Sequence, residues 1–594
     1  NKHRSCTDLP CCALLLACIV IEIWIIISCS RSGADPLLLV HGTDYNGNLC
    51  DETTGSYTVW PSLSSFDIRL CVSSPSCSAF TNDATNAFMI DHYESKLWLN
   101  AYCLPALSTI NTSEDAIDSN FDTLSSSFQR SLADLYTARW LILSMSIAAI
   151  VISYIYLKLI SYLAKVLVFC SVIMLLLSGI LFSSLLFQNG VKDYHHPDTY
   201  HLGLIQIIVA VVILVILLGL LLALWFERKA IELVIDMLNE ANHALNDMKL
   251  TLIFPIWMSL LGVAYIAYWS VEALYIYSVK TVSTEAMPAE FVANGHYPAE
   301  YENLQFHYDS MKDELIWHFV ILFYSVEVLT YFAFMVLAGV FSDWYFSEWM
   351  DNKHKERGEG PAELSESPIC ESLWRVTRYH LGSLAFGALI ITIIRLFEAV
   401  FTYIRSKTEQ RTNAVSKCIF CLIGCCLKCC ECIFNRVNKN GFIFTSIYGT
   451  PFCYSSYCAL QLVVENMTRT ILMTGISKYT EQFGRFIISL LNTGIALLVM
   501  KYNDYYQTHL DSYMFPSVIV FVVSYIIAAL FMMVFDVAVQ TIFLCFLVDE
   551  TVNNGEPRFA SEDMKDLVSK ATSLNSKERT YGSTGSEQDV LAVV

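Results

Sequence analysis

Residues Gly203 to Trp225 read GLIQIIVAVVILVILLGLLLALW, without one charged side chain. A helix rises about 1.5 Å per residue, so a run of this length matches the roughly 30 Å hydrocarbon core of a bilayer. Lipid offers no partner for open backbone groups, so the run is predicted to be a membrane helix. Working outward, nine further blocks have similar length and character: 10–28, 139–160, 164–187, 251–278, 316–341, 380–404, 453–475, 484–501 and 515–547. The pattern predicts an all-α polytopic membrane protein of about ten transmembrane helices. The first block has no small-residue cleavage site after it, which argues against a cleaved signal peptide.

Composition agrees. Of 594 residues, 55% are hydrophobic and 16% charged, where a soluble chain carries about 25% charged residues. That disfavours a cytosolic enzyme. With 37 basic and 56 acidic residues the formal charge is −19, so no nucleic-acid partner is expected. The first residue is Asn1, not Met, and the natural N-terminus is expected upstream. Basic residues favour the cytoplasmic side. Lys2 and Arg4 precede the first block, Lys158 and Lys165 flank an expected tight turn after the second, and 342–378 carry five bases. The opposite loop 279–315 carries seven acids against Lys280 and Lys312. Both termini are therefore predicted cytoplasmic. Residues 405–440, with seven bases and two acids, break the alternation. Either 380–404 or 453–475 does not cross, or 415–434 is the eighth span.

These readings divide the chain into 1–28, the N-terminus and first helix; 29–137, an exoplasmic cap; 138–547, a transmembrane transport core; and 548–594, a polar cytoplasmic tail. The cap holds 13 acids, four bases, five cysteines (Cys29, Cys50, Cys71, Cys77, Cys103) and the sequon Asn111-Thr112-Ser113. It is expected to be glycosylated at Asn111 and tied by disulfides, with Cys71–Cys77 the preferred bridge. The other sequon, at Asn466, lies within a span and is expected to be silent. Residues 226–250 have an amphipathic pattern, expected to lie along the cytoplasmic face.

No Walker loop, GxGxxG after a strand, GxSxG or HExxH is present, which disfavours an ATP-driven pump and a recognisable hydrolase. No catalytic residue, metal ligand or cofactor is assigned. The run Cys418, Cys421, Cys425, Cys426, Cys429, Cys430 and Cys432 is continuous rather than paired in two knuckles. Its spacing favours S-acylation or helix packing over zinc.

Ionisable residues inside spans are costly and mark functional candidates. They are Glu22, Glu272, Glu327, Arg395, Glu398, Glu465, Arg469 and Asp536. Arg395 with Glu398, and Glu465 with Arg469, are spaced to pair on one helix face. Glu272 and Glu327 lack a basic partner on their own helices. Tyr265, Tyr268 and Trp269 share a helical face with Glu272, and Tyr324 and Tyr331 share one with Glu327. A carboxylate among π-faces suits a quaternary ammonium, although aromatics at this spacing more often serve packing. Asp536 is an alternative ion or proton site.

The string Ser372 to Gly387, SLWRVTRYHLGSLAFG, resembles the choline transporter-like family. So do HGTDYNGNLC at 41–50, the Cys-rich run followed by Asn440 and Ile447 to Cys453, and Thr541 to Phe546 followed by Asp549. The resemblance implies ten membrane helices, a glycosylated first exoplasmic loop and cytoplasmic termini. It implies sodium-independent transport of choline, in some members ethanolamine, often by exchange with protons. Glu327 matches the acid of a family segment, here Tyr324-Ser325-Val326-Glu327-Val328, which makes it the better of the two carboxylates. Asp536 stands where many members have Glu, and Gln540 replaces a common acid.

The expected function is therefore a multi-pass plasma-membrane carrier, with intracellular membranes as the alternative. Its substrate would be choline or a related small amine, driven by proton exchange or the membrane potential. Glu327 and Asp536 are the candidate coupling residues. The partners expected are the amine and membrane lipids, and protein ligands of the cap if the chain is instead a receptor or scaffold.

Overall fold

The computed structural model describes residues 5–32, 34, 49–50, 57–59, 70–72, 95–98, 102–105, 134–195, 200–226, 228–283, 305–308, 312–347, 367–408, 414–510, 512–561 and 565. The sequon Asn111 and Cys77 lie outside them. The chain forms two compact units. The smaller comprises Ala13–Arg130 and Leu260–Val326, and the larger Asn1–Cys12, Ser131–Ser259 and Glu327–Val594.

The smaller unit is built on most of helix α1 (Leu9–Arg31), most of helix α5 (Phe254–Tyr277) and the first half of helix α6 (Lys312–Phe346). Ile25 and Cys29 of α1 bury against Ile276 and Val279, with Leu315 packed on them. Four short strands, β1 (Tyr57–Val59), β2 (Leu70–Val72), β3 (Ser95–Trp98) and β4 (Tyr102–Pro105), form a sheet in the order β2-β1-β4-β3. Strands β5 (Lys280–Ser283) and β6 (Gln305–Tyr308) pair antiparallel. The antiparallel register of β1 and β2 sets Cys71 opposite Thr58. Thr58 Oγ1 lies 3.1 Å from Cys50 Sγ. Cys71 is therefore bridged to Cys50, not to Cys77 as expected from the short spacing. Strand pairing between distant residues selects the partner, which loop length alone does not show. Cys103 is also disulfide-bonded.

In the larger unit the helices are α2 (Arg139–Tyr194), α3 (Tyr200–Phe226), α4 (Arg228–Asp247), the second half of α6, α7 (Pro368–Arg375), α8 (Leu381–Thr408), α9 (Ala414–Tyr448), α10 (Phe452–Glu465), α11 (Met467–Tyr502), α12 (Asp504–His509) and α13 (Met514–Val552). Helix α3 carries the run that decides the fold, and Ile205, Ile208, Val212, Val215 and Ile216 remain exposed along it, as a lipid-facing surface requires. Helix α4 turns the apolar face of the amphipathic segment into the protein, against α2, α11 and α13, burying Val234, Met237, Leu238, Ala241 and Leu245.

Two expected boundaries differ. Helix α2 continues through 161–163, where a tight turn was expected between Lys158 and Lys165. The segment Lys158 to Lys165 contains neither Gly nor Pro, and nothing else in it stops a helix. The block 453–475 is not one span. Helix α10 ends at Glu465 after 14 residues, about 21 Å at 1.5 Å per residue, and α11 runs unbroken from Met467 to Tyr502 through the expected gap before 484. Among the described residues, eight helical segments are long and apolar enough to cross a membrane.

A π turn, Val376–His380, joins α7 to α8 within the SLWRVTRYHLGSLAFG string. The N-terminal Thr7 and Asp8 are latched to it. Thr7 N donates to the Tyr379 carbonyl at 3.0 Å, and Thr7 Oγ1 lies 3.2 Å from His380 Nδ1 and 2.7 Å from Ser383 Oγ. Asp8 accepts from Ser383 Oγ and from the Phe452 amide at 2.9 Å.

Candidate functional site

Most of the intramembrane carboxylates fall into three clusters. The first lies wholly in the smaller unit. Trp269 on α5 and His318 on α6 clasp each other. Trp269 Nε1 donates to the His318 carbonyl at 3.1 Å, and His318 Nε2 donates to the Trp269 carbonyl at 3.1 Å. Their rings stack 4.8 Å apart, 8° from parallel. Because a carbonyl can only accept, Nε2 carries a proton. The other nitrogen, Nδ1, lies 2.9 Å from Glu22 Oε2 of α1.

Glu272, one turn beyond Trp269, completes this group. It is 4% exposed, and neither carboxylate oxygen has a hydrogen-bond partner of normal geometry; Glu22 Oε1 is likewise unmatched. One ligand atom each from Glu22, Glu272 and His318 falls within 4.8 Å of the others. Of the aromatic residues expected around Glu272, Tyr265 and Trp269 are half-buried and Tyr268 is exposed. One face of the Trp269 indole is covered by His318, and Phe319 meets it edge-on.

The second cluster is in the larger unit. Glu327 on α6 is buried and accepts from Arg395 Nη1 of α8. Arg395 Nε donates to Glu431 of α9 at 3.3 Å, and Lys428 bridges Glu398 at 2.6 Å and Glu431 at 3.0 Å. The expected pair Arg395–Glu398 is therefore replaced, because the buried carboxylate of Glu327 and that of Glu431 take the guanidinium while Glu398 takes Lys428. Tyr331, one face with Glu327, is buried and donates to Asn435 Oδ1 at 2.9 Å. Tyr324 on the same helix is also buried.

The third cluster surrounds Asp536 on α13. It accepts from Gln540 at 2.6 Å, Lys478 at 3.2 Å and Ser477 at 3.3 Å. Lys478 also pairs with Glu481 at 3.0 Å, and Arg485 closes on Glu481. A small cleft of about 20 Å³ lies beside it, lined in part by Arg436, Thr474, Ser477, Gln540 and Phe543. The pair expected between Glu465 and Arg469 is not formed. The helix breaks at Asn466, which takes the two residues off a common face; Arg469 pairs with Glu550 at 2.9 Å and Glu465 accepts from Gln461.

Sequence reasoning passed over His318 and Glu481. His318 opens an apolar block, and a lone histidine carries no spacing signal. Glu481 falls in the gap expected between two spans. The cysteines Cys421, Cys425, Cys426, Cys429, Cys430 and Cys432 of α9 are free and exposed among the described residues. Asp549, after the FLCF string, accepts from Tyr345 Oη at 3.2 Å and from the amides of Arg558 and Phe559 at 3.1 and 2.8 Å, holding the segment that follows α13.

A family model described as plasma-membrane choline transporter matches residues 211–551. Choline transporter-like protein 4 of Homo sapiens is 29% identical over 388 residues, covering 59% of this chain and 53% of that protein. The protein of the same name from Xenopus laevis is 28% identical over 403 residues, covering 62% and 55%. Choline transporter-like protein 2 of Salmo salar is 26% identical over 671 aligned residues, covering 93% of each chain. The chain spans about half the length of the frog and human relatives. With a matched family model over more than half its length and several helices able to cross a bilayer, this multi-pass membrane protein belongs to the choline transporter family.

Proposed function

We propose that the protein carries choline, or a closely related amine such as ethanolamine, across the plasma membrane without sodium. Transport is coupled to proton exchange or driven by the membrane potential. The observation that supports this reading best, in a member of this family, is the buried and unmatched carboxylate of Glu272 inside a span. An isolated carboxylate in apolar surroundings is costly unless protonated or paired. A permanent ammonium supplies the missing charge without needing a hydrogen bond, and the faces of Tyr265, Tyr268 and Trp269 add cation–π attraction of about 0.5–2 kcal/mol each.

Choline cannot lose its charge, so its carboxylate must alternate between cation and proton if protons are exchanged. Glu272 suits that alternation better than Glu327, which already has Arg395 as a partner. Glu327 and Asp536, each already ion-paired, remain in this reading the candidate coupling residues. The membrane potential contributes about 2.3 kcal/mol per charge per 100 mV.

Radiolabelled choline flux into proteoliposomes tests this, first under an imposed pH gradient and then under an imposed voltage. Saturable uptake with counterflow is expected, and Glu272→Gln is expected to lose it. The absence of flux under either gradient would refute the carrier reading. Unchanged uptake in Glu272→Gln would remove Glu272 from the substrate path.

A further inference from the structure

The Glu22–Glu272–His318 group holds more charge than one ammonium balances. Its two carboxylates sum to −2 when ionised, and the imidazole adds +1 only when Nδ1 is protonated as well as the Nε2 that donates to Trp269. Burial within apolar helices requires a net charge near zero. Two protons satisfy that condition, or one proton with an organic monocation, or a single dication with no proton at all.

Two details favour the dication, beside a His318 Nδ1–Glu22 Oε2 contact of 2.9 Å that is a hydrogen bond when a proton lies between them. The other ring nitrogen is fixed by a backbone carbonyl, the outer-shell arrangement that sets the tautomer of metal-bound histidines. Glu272 is 4% exposed, and among the described residues neither of its oxygens has a hydrogen-bond partner of normal geometry. Donors around a tetrahedral ion stand about 3.4 Å apart; the three here already lie within 4.8 Å, so side-chain rotation closes the set. One imidazole with two carboxylates suits an ion of the zinc type rather than magnesium or calcium, which prefer oxygen alone.

We propose that Glu22, Glu272 and His318 form a binding site for one divalent transition-metal ion of the zinc type. The three ligands leave a fourth position for water or a substrate group. A metal ion and an ammonium would be alternative occupants at Glu272. The metal site does not rest on the transport reading, because binding is measured without flux.

The test uses the full chain in lipid nanodiscs, with the exposed cysteines Cys6, Cys370, Cys421, Cys425, Cys426, Cys429, Cys430, Cys432 and Cys453 changed to Ser so that these thiolates cannot contribute. After chelator treatment, equilibrium dialysis against Zn²⁺ alone is expected to give one tightly bound ion per chain. Glu272→Gln, which preserves shape, is expected to weaken it at least about 100-fold, beyond the 10–100-fold typical of losing an outer-shell partner. Co²⁺ in place of Zn²⁺ is expected to show the visible d–d absorption of a low-coordinate nitrogen and oxygen site. No bound Zn²⁺, or binding unchanged in Glu272→Gln, would overturn the proposal. Should that variant aggregate, the Co²⁺ spectrum of the parent decides: absorption no different from aqueous Co²⁺ overturns it equally.

Discussion

Trp269 and His318 hold each other by two reciprocal backbone-directed hydrogen bonds, each 3.1 Å, across stacked rings. The indole N–H reaches the carbonyl of the histidine, and the imidazole N–H reaches the carbonyl of the tryptophan. Each ring thus satisfies the polar backbone group of its partner inside a membrane helix, and the imidazole is held with Nδ1 toward Glu22.

Trp269→Phe keeps a ring for the stack but deletes the donor to the His318 carbonyl. The loss of one hydrogen bond costs about 0.5–1.5 kcal/mol, read as a lowered thermal midpoint in detergent. His318→Gln removes both the stack and the contact with Glu22 and is expected to cost more. Equal midpoints for the two variants would show that the clasp contributes nothing beyond its apolar area.

Glu327 and Arg395 make an unequal pair. The glutamate side chain is 5% exposed and the arginine 38%. Arg395→Met leaves a buried, unmatched carboxylate and is expected to destabilise by about 3 kcal/mol or more. Glu327→Gln leaves an amide that still accepts from the guanidinium, with an expected cost nearer 1 kcal/mol. The double variant should be more stable than Arg395→Met alone. Choline uptake and its pH dependence, both unchanged in Glu327→Gln, would exclude Glu327 from transport.

Helices without internal conflict, such as α3, can be read from the sequence because an uncharged apolar run has one stable answer in lipid. The boundaries that misled are those where a rule assumed something the chain does not do. Lys158 and Lys165 suggested a turn, yet no residue between them interrupts a helix. Glu465 and Arg469 have pairing distance only on a continuous helix, and Asn466 ends that continuity. Glu22 was legible as a costly intramembrane acid, but its partner His318 lies 296 positions away, beyond any local pattern. The Cys50–Cys71 bridge is similar: strand register chose it over the nearer Cys77.

That bridge gives a direct chemical prediction. Non-reducing peptide mapping is expected to recover Cys50 linked to Cys71, and Cys77→Ser should leave this linkage intact. Closing a loop of 21 residues stabilises by about 3 kcal/mol in the chain-entropy account. Cys50→Ser should therefore reduce cap stability on that scale and leave Cys71 open to alkylation. A Cys71–Cys77 peptide from the unmodified chain would contradict the register of β1 and β2.

The exposed cysteines of α9 predict a different chemistry. Six free, exposed thiols on one helix of a membrane protein are accessible to S-acylation. Metabolic labelling of eukaryotic cells with a fatty-acid analogue is expected to mark Cys421 to Cys432, and the label to be removed by hydroxylamine, which cleaves thioesters. Labelling that persists after all six are changed to Ser would place the modification elsewhere.

Gly382 governs the attachment of the N-terminal segment. A β-carbon there would run into the backbone carbonyls of Thr7 and Asp8, and backbone cannot swing aside as a flexible side chain can. Gly382→Val is therefore expected to expel the Thr7–Asp8 latch, breaking the hydrogen bonds to Tyr379, Ser383 and the Phe452 amide together. Ser383→Ala removes one of these and leaves the close approach intact. The first substitution should cost several times the roughly 1 kcal/mol expected of the second. It should also raise the rate at which Cys11, half-buried at the start of α1, reacts with a small maleimide. A Gly382→Val protein with parental labelling and thermal midpoint would mean that the latch is not held by the bonds seen here.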